Sequence, residues 1–518
     1  MRDLIIGIDA GTSVIKSVAF SLDGKQISAC AIPNEYTSMG DGGVEQDLLL
    51  TWHKTVETLV ALASNIPNLA KRCAAIAVTG QGDGTWLIDK NGAPVGGGLL
   101  WLDARAGDLV DEWRTGEAES QRFQITGTGF AACQQAPQLL WMKTNAPERI
   151  AAAQTAFHCK DWLYYQLTGE RVTDISEGCF TFGDFRTRDY SNELLSLINL
   201  KDCESLLPPM LNGTEQHHPL SSEAACLTGL LEGTPVVLGF LDVVCTGLGA
   251  GLYDKHKKTG CTIVGSTGIH MRLVHSASEV SLNEHRTGFT MALPTDDMFV
   301  QVQSNMSCTL NIDWLLDVAI DLFNSQGVQK SRRDLLNSVD EWVGSRSQRG
   351  EILYQPHISD AGERGPFINT SARAGFIGLN SHHRFGDLMY SVVEGLALAS
   401  RDCYTAMGAI PSEIRLTGGA ARSQSLRCLF ANTLGTNLRT CDREEAGAAG
   451  AAMMAALNLG HYSSMDECVS AWVTPNLSEL EEFDSAEKDI MDTVYETYQT
   501  TRTVLSDVWK AQARYRQL

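Results

Sequence analysis

Two short segments group glycines and hydroxyls as phosphate chemistry needs them, and one adds a carboxylate. The first, Asp9-Ala10-Gly11-Thr12-Ser13, follows the apolar run Leu4 to Ile8. At the end of a buried strand such a turn aims successive backbone N–H groups and two hydroxyls at a phosphate. The Asp9 carboxylate suits Mg2+, which takes oxygen ligands and keeps several waters. Alone, the segment reads equally as an Asp-Gly turn with a solvated carboxylate. A second segment changes the balance, because Gly265-Ser266-Thr267-Gly268 stands between two strand-like runs, Thr259 to Val264 and Ile269 to Val274. Two such hairpins facing each other form a clamp on a triphosphate.

Other glycine-rich stretches are less specific. No G-x-x-x-x-G-K-[ST] is present, which excludes a P-loop. Gly247-Leu248-Gly249-Ala250-Gly251 has the spacing G-x-G-x-G, unlike a dinucleotide fingerprint, and is expected to open a helix or a hinge between domains. Leu416-Thr417-Gly418-Gly419-Ala420-Ala421 lies between a short strand, Glu413 to Leu416, and a helix. Its glycines let a flat group approach the backbone or simply turn the chain, and the segment alone leaves both open.

The elements that position these segments read as an α/β pattern. Leu4 to Ile8 and Val14 to Phe20 are strands of a meander, Trp52 to Ala63 a helix, Ala75 to Val78 an apolar strand and Asn91-Gly92 a hairpin turn. Pro235 to Phe240 is another buried strand, ending at Leu241-Asp242. The strand, hydroxyl turn and second strand then restart, so two related α/β domains are expected to meet near residue 247. Helical patterns follow over Asp387 to Met407, around Leu426, Leu429, Phe430 and Leu434 with a stop at Gly435, and over the Ala-rich stretch Ala446 to Leu459. The C-terminal stretch is charged and helical.

At 518 residues the chain exceeds one ordinary core, and its length points to two to four domains of roughly 100–200 residues. Lys and Arg number 41 against 62 for Asp and Glu, a formal charge of −21 that repels a phosphate backbone. Nucleic acid and anionic membranes are therefore poor partners. The 14 cysteines contain no C-x-x-C pair, which fits neither a disulfide framework nor a zinc site, and they read as reduced thiols. No stretch reaches the ~18 apolar residues of a membrane span, and the N-terminal apolar run is too short for a signal-peptide core. The expected location is cytoplasmic.

Taken together, the segments resemble the FGGY carbohydrate kinases of the actin-like ATPase superfamily, from about Leu4 to Leu459. The most specific element is Ala374-Gly375-Phe376-Ile377-Gly378-Leu379, followed after seven residues by Asp387-Leu388-Met389-Tyr390-Ser391-Val392-Val393-Glu394, which fits the family's C-terminal signature. Gly362-Glu363-Arg364-Gly365-Pro366-Phe367 is similar to its G-E-R-x-P-F segment. The resemblance implies that Asp9 and Thr12, with Ser13, serve Mg2+ and phosphate, and that Ser266, Thr267 and Gly268 form a second phosphate loop. It implies that Gly418, Gly419 and Ser423 flank the adenosine of ATP. Asp242 matches the catalytic aspartate that closes a strand in the pattern G-x-x-D, and it also counts among the Mg2+ ligands. Lys16 matches a basic position able to reach a phosphate, or is an exposed strand lysine.

The acceptor side is implied at Gln81, Asp83, Trp101, Asp103 and Arg105. Polyol recognition needs hydroxyl-matched donors and acceptors plus an apolar wall. Trp101 as core and Arg105 as a surface ion pair remain open readings. Gly80-Gln81-Gly82-Asp83-Gly84 is most similar to the segment found in erythritol kinases. Three departures stand out: Gln138 replaces a signature lysine before Trp141, Ser304 to Trp314 lacks a glycine often near the nucleotide, and Val243 replaces a polar residue of glycerol kinases. The last makes glycerol a less suitable acceptor.

The fold class expected is thus α/β, two actin-like (ribonuclease H-like) domains over 1–247 and 248–480 with the active site in the interdomain cleft, then a helical tail over 481–518. The function expected is ATP- and Mg2+-dependent phosphorylation of a small sugar alcohol or sugar, erythritol first. A ketopentose such as xylulose or ribulose is the alternative, and a homodimer is a possible assembly. From another class, an actin-like ATPase acting on protein partners would not need the polar set from Gln81 to Arg105, and a sensor without catalysis would not need Asp9 and Asp242.

Overall fold

Runs of β-branched and aliphatic residues build the two sheets at the centre of the molecule. The computed structural model describes residues 2–295, 297–345 and 349–516, Arg516 in its backbone only. Strands β1 (Leu4–Ala10), β2 (Val14–Ser21) and β3 (Gln26–Pro33) form an antiparallel meander. Helix α1 (Leu48–Asn65) is longer than the expected Trp52 to Ala63, because Asp47 caps it by accepting from Leu50 N–H at 2.9 Å. It leads to β4 (Cys73–Gly80), parallel to β1, and β5 (Pro235–Leu238) adds in parallel to β4. The strand His218–Pro219 closes this six-stranded sheet, ordered His218–Pro219, β5, β4, β1, β2, β3.

The plan then repeats. Helix α2 (Asp242–Ala250) precedes β6 (Thr259–Val264) and β7 (Gly268–Val274), an antiparallel pair, and β8 (Phe299–Asn305) continues the meander beside the edge strand Phe289–Ala292. Helices α3 (Thr309–Ser325) and α4 (Phe385–Ala406) precede β9 (Glu413–Thr417), α5 (Gln424–Leu434) and β10 (Asn437–Thr440). β6, β9 and β10 are parallel, and the order Phe289–Ala292, β8, β7, β6, β9, β10 mirrors the first sheet. The restart read from the sequence is this duplicated sheet.

Helix α6 (Ala446–Asn458) crosses from one half to the other. It belongs to the second half of the chain but packs on β1 and β4 of the first sheet and against α2. Alanine and glycine allow that approach: a Cβ on Gly7 would meet the Ala448 carbonyl oxygen at 2.3 Å, and one on Gly450 would meet that of Cys245 at 1.9 Å. Of the two expectations for Gly247 to Gly251, the opening of a helix is corrected: the segment closes α2, with Gly251 at φ 94° as its cap. The terminal helix α7 (Ser485–Arg516) is docked. Met491, Tyr495, Tyr498 and Trp509 are buried, and Tyr495 donates to Asp402 at 2.7 Å. Residues 517 and 518 of the expected tail lie outside the described residues. No helix is long and apolar enough to cross a membrane among the described residues.

Candidate active site

Three parallel strands of the first sheet end side by side, and each leads into a polar group. Ala10 of β1 is level with Gly80 of β4, and Val78 of β4 with Leu238 of β5. The carboxyl ends of parallel strands are the usual ligand position in open α/β sheets. Asp9 lies in the last turn of side chains on β1, paired across the ladder with Lys16. The Lys16 ammonium is held by Glu445 at 2.8 Å, so the expected phosphate-facing lysine already has a carboxylate partner. Burial raises the Asp9 pKa to about 6, with Lys16 opposing and Glu445 adding to the rise.

Asp242 is the first residue of α2 and not, as its G-x-x-D pattern suggested, the end of a strand. β5 stops at Leu238, and Gly239 to Leu241 carry the chain to the helix. The carboxylate accepts from Val243 N–H at 2.7 Å. A helix N-terminus favours a carboxylate. Burial and the Asp9 charge outweigh that and push Asp242 up to about 8. Two buried carboxylates with raised pKa values, Asp9 adding to the rise at Asp242, match what a divalent cation would relieve, so the donor set fits Mg2+.

The acceptor-side residues split into two groups. Trp101 donates from Nε1 to Thr12 Oγ1 at 2.8 Å, Thr12 donates to Gln81 Oε1 at 2.6 Å, and Gln81 donates to Gln46 at 2.7 Å. Asp83 sits at φ 58°, its N–H donating to Glu177 at 2.9 Å. The Cys133 thiol donates to Asp83 Oδ2 at 3.3 Å, while Oδ1 is buried with no partner. Burial raises the pKa of this carboxyl. Asp103 and Arg105 are occupied elsewhere: Asp103 accepts from Val44 N–H at 2.9 Å and from Arg105, and Arg105 also donates to Glu45 at 2.8 Å. The Arg105 guanidinium lies 4.6 Å from the centre of the Trp141 ring. Neither Asp103 nor Arg105 lines the cavity.

That cavity, about 260 Å³, opens between the domains. Thr12, Gln81, Asp83, Trp101 and Asp242 face it from the first, and Thr267, Ile269, Ser304 and Arg364 from the second, with Phe180, Leu241 and Phe289 as apolar wall. The turn of the second hairpin, Gly265 to Thr267, is tied to the start of α3, because Cys308 and Thr309 N–H donate to the Ser266 and Gly265 carbonyls at 2.7 and 2.9 Å. Gly418, at φ 99°, leaves β9 beside it, where a Cβ would meet the Val264 carbonyl oxygen at 2.5 Å. The following Gly419 has open space around its Cβ position. Ser423 caps α5 by accepting from Leu426 N–H at 3.1 Å and donates to Asp340 at 2.6 Å, so its hydroxyl is engaged.

The duplicated sheets and this cleft agree with sequence comparison. Residues 4–249 match the model of the FGGY family of carbohydrate kinases, N-terminal domain, and residues 261–459 that of the C-terminal domain. The chain belongs to the FGGY family of carbohydrate kinases. An erythritol kinase of Brucella abortus is 49% identical over 507 residues, covering 98% of this chain and 97% of that protein. An L-xylulose/3-keto-L-gulonate kinase of Escherichia coli is 24% identical, covering 90% of each. Among solved structures, a gluconate kinase from Lactobacillus acidophilus superposes with a TM-score of 0.88 at 20% identity, over 98% of this chain and 99% of that one. A Plasmodium falciparum glycerol kinase with ADP gives 0.83 at 16%, over 96% and 98%.

Several residues of this FGGY kinase's cleft carry no signal in the linear sequence. Glu445 reaches Lys16 from 429 positions away, and Cys133 meets Asp83 across 50. Beneath Asp83, fully buried Lys160 pairs with Asp161, Asp174 and Glu177 at 2.7, 2.6 and 2.6 Å. His158 joins this cluster, yet its carboxylates already have the ammonium as counter-ion, so it holds Glu177 in place without a metal. A second cluster, Glu351, His382 and His383, lies outside the cleft's lining. There His383 Nδ1 accepts from Asn380 N–H at 3.0 Å, so the neutral ring carries its proton on Nε2, facing Glu351 at 3.3 Å. His382 Nε2, 3.0 Å away, is the hydrogen-bond partner of that Glu351 oxygen.

Proposed function

We propose that this kinase transfers the terminal phosphoryl group of ATP to a hydroxyl of a small open-chain sugar alcohol, erythritol being the preferred acceptor. The observation that carries the reading is Asp83 Oδ1, a buried carboxylate oxygen without a donor in the same cavity as Asp242. A polyol hydroxyl supplies the missing donor, and leaving such an oxygen unpaired is unfavourable. The name and 49% identity of the Brucella relative support erythritol in particular.

In this reading residues 1–247 hold the acceptor and residues 248–480 the nucleotide. Asp83, Gln81 and Trp101 orient the acceptor chain, and Asp242 takes the proton of the attacking hydroxyl. Asp9 and Asp242 would hold Mg2+, which when bound neutralises charge on the phosphates. Thr12, Ser13, Ser266, Thr267 and Gly268 face the phosphates from the two hairpin turns, and Gly418 and Gly419 offer bare backbone to the adenosine. Phosphoryl transfer leaves little covalent work to the protein, so alignment and charge are the main contributions.

A coupled assay of ADP release over erythritol, xylitol, glycerol, xylulose and ribulose tests this. Erythritol is expected to give the highest kcat/KM. Much faster turnover of xylulose, ribulose or glycerol overturns the choice of acceptor, and ADP release unaffected by every acceptor overturns the polyol kinase reading.

A further inference from the structure

The cavity has two carboxylates on its first-domain side, Asp83 and Asp242, and a single cationic side chain among its described lining residues, Arg364 of the second domain. Arg364 stands on a segment fixed from several directions. The buried Glu363 accepts from Met306 N–H at 2.9 Å and from Arg364 N–H at 3.0 Å, and its other oxygen faces His357 at 3.1 Å. Asn305 donates to the Gly365 carbonyl at 3.1 Å, and Thr287 to that of Pro366 at 2.9 Å. The backbone at Gly365 is so close to β8 that a Cβ would lie 2.6 Å from the Ser304 carbonyl oxygen. The support is rigid, yet the guanidinium makes no hydrogen bond or salt bridge among the described residues. Its charge is nevertheless felt by Asp83, whose pKa is raised chiefly by burial and held back in part by Arg364.

A guanidinium only donates and a carboxylate only accepts, whereas a hydroxyl does both. One polyol hydroxyl, or two on adjacent carbons, can therefore donate to Asp83 Oδ1 and accept from Arg364. We propose that Arg364 is the second-domain contact for the acceptor, so that a bound polyol ties the two domains together and strengthens nucleotide binding. The inference rests on the polyol kinase reading above and adds a specificity residue on the opposite wall of the site. By reciprocity, an acceptor that favours the closed cleft must raise nucleotide affinity by the same factor as nucleotide raises acceptor affinity.

The test measures binding of the non-hydrolysable nucleotide AMP-PNP with Mg2+ by calorimetry, with and without saturating acceptor, in wild type, Arg364→Ala and Arg364→Lys. The acceptor is whichever compound of the panel above gives the highest wild-type kcat/KM, so a wrong choice of erythritol leaves this test intact. Acceptor is expected to tighten nucleotide binding in the wild type by roughly 5- to 150-fold. In Arg364→Ala that factor falls to about 1, while affinity for nucleotide alone and Tm stay unchanged. In the same variant kcat/KM for the acceptor drops about 10- to 100-fold, the loss typical of a charged hydrogen bond. Arg364→Lys keeps part of the coupling, because one ammonium replaces a planar fork. Coupling that survives in Arg364→Ala, or none in the wild type, overturns the proposal.

Discussion

In the reading proposed above Asp242 takes the proton of the attacking hydroxyl, and burial raises its pKa. Asp242→Asn keeps the shape and removes the base, so kcat is expected to fall by ~10²–10⁴-fold with little change in acceptor KM. Steady-state kinetics on a pure preparation checks this, and near-normal kcat excludes Asp242 as the base. Because the free site holds Asp242 protonated up to about pH 8, kcat/KM for MgATP, which reads the free enzyme, rises with pH through about 8 and levels off above it. The same shift acts on stability. The folded pKa lies above the unfolded one, so the contribution is present below about pH 4 and is lost as pH rises through about 8. Ligand-free Asp242→Asn is therefore expected to melt at a higher temperature than wild type at pH 8.5, and at about the same temperature near pH 4. Asp83→Ala is expected to lower kcat/KM for the acceptor by about 10-fold or more while KM for ATP is kept, since only the acceptor loses a charged partner.

Between residue and domain, the decisive elements are α2 and α6. Asp242 opens α2, and α2 lies so close to α6 that Gly249 would place a Cβ 2.1 Å from the Ala446 carbonyl oxygen. Gly450→Ala puts a methyl where the Cys245 carbonyl stands, so the helices must separate. Overpacking of this kind destabilises by about 1–3 kcal/mol. A lowered Tm together with reduced kcat is expected, because Asp242 moves with α2. Full activity with wild-type Tm excludes this helix pair as the support of the base. The α7 helix makes a separate case. Trp509 is 3% exposed and meets the His357 ring edge-on at 5.4 Å between centres. Trp509→Ala is expected to destabilise by about 3–5 kcal/mol, measured by denaturant unfolding, as for other buried aromatic truncations.

For the whole molecule, phosphoryl transfer has water as the competing acceptor, and closure of a cleft is the usual way to exclude it. Two sheets of the same plan place their hairpin turns, Gly11 to Ser13 and Gly265 to Thr267, on either side of the cleft. Closure is expected when acceptor and AMP-PNP bind together, and small-angle scattering should then give a smaller radius of gyration than for the free protein. Equal values in matched buffer exclude hinge closure.

Much of this protein was determined by local sequence. The strands at Leu4 and Thr259, the hydroxyl turns after them and the helix over Asp387 to Met407 follow from apolar runs and turn residues that act within a few positions. The signature from Ala374 to Glu394 pointed to the family, and family membership to the cleft. Only the tertiary structure decided which polar residues share that cleft. Trp101 faces the cavity whereas Asp103 and Arg105, two and four positions on, turn to Val44 and Glu45 respectively. Lys16 is claimed by Glu445, Asp83 is left with one unpaired oxygen, and α6 returns to the first sheet. The physical reason is range: hydrophobic periodicity acts along the chain, whereas hydrogen bonds, ion pairs and the pKa of a buried carboxylate depend on groups brought within a few ångströms by folding, from any distance in sequence.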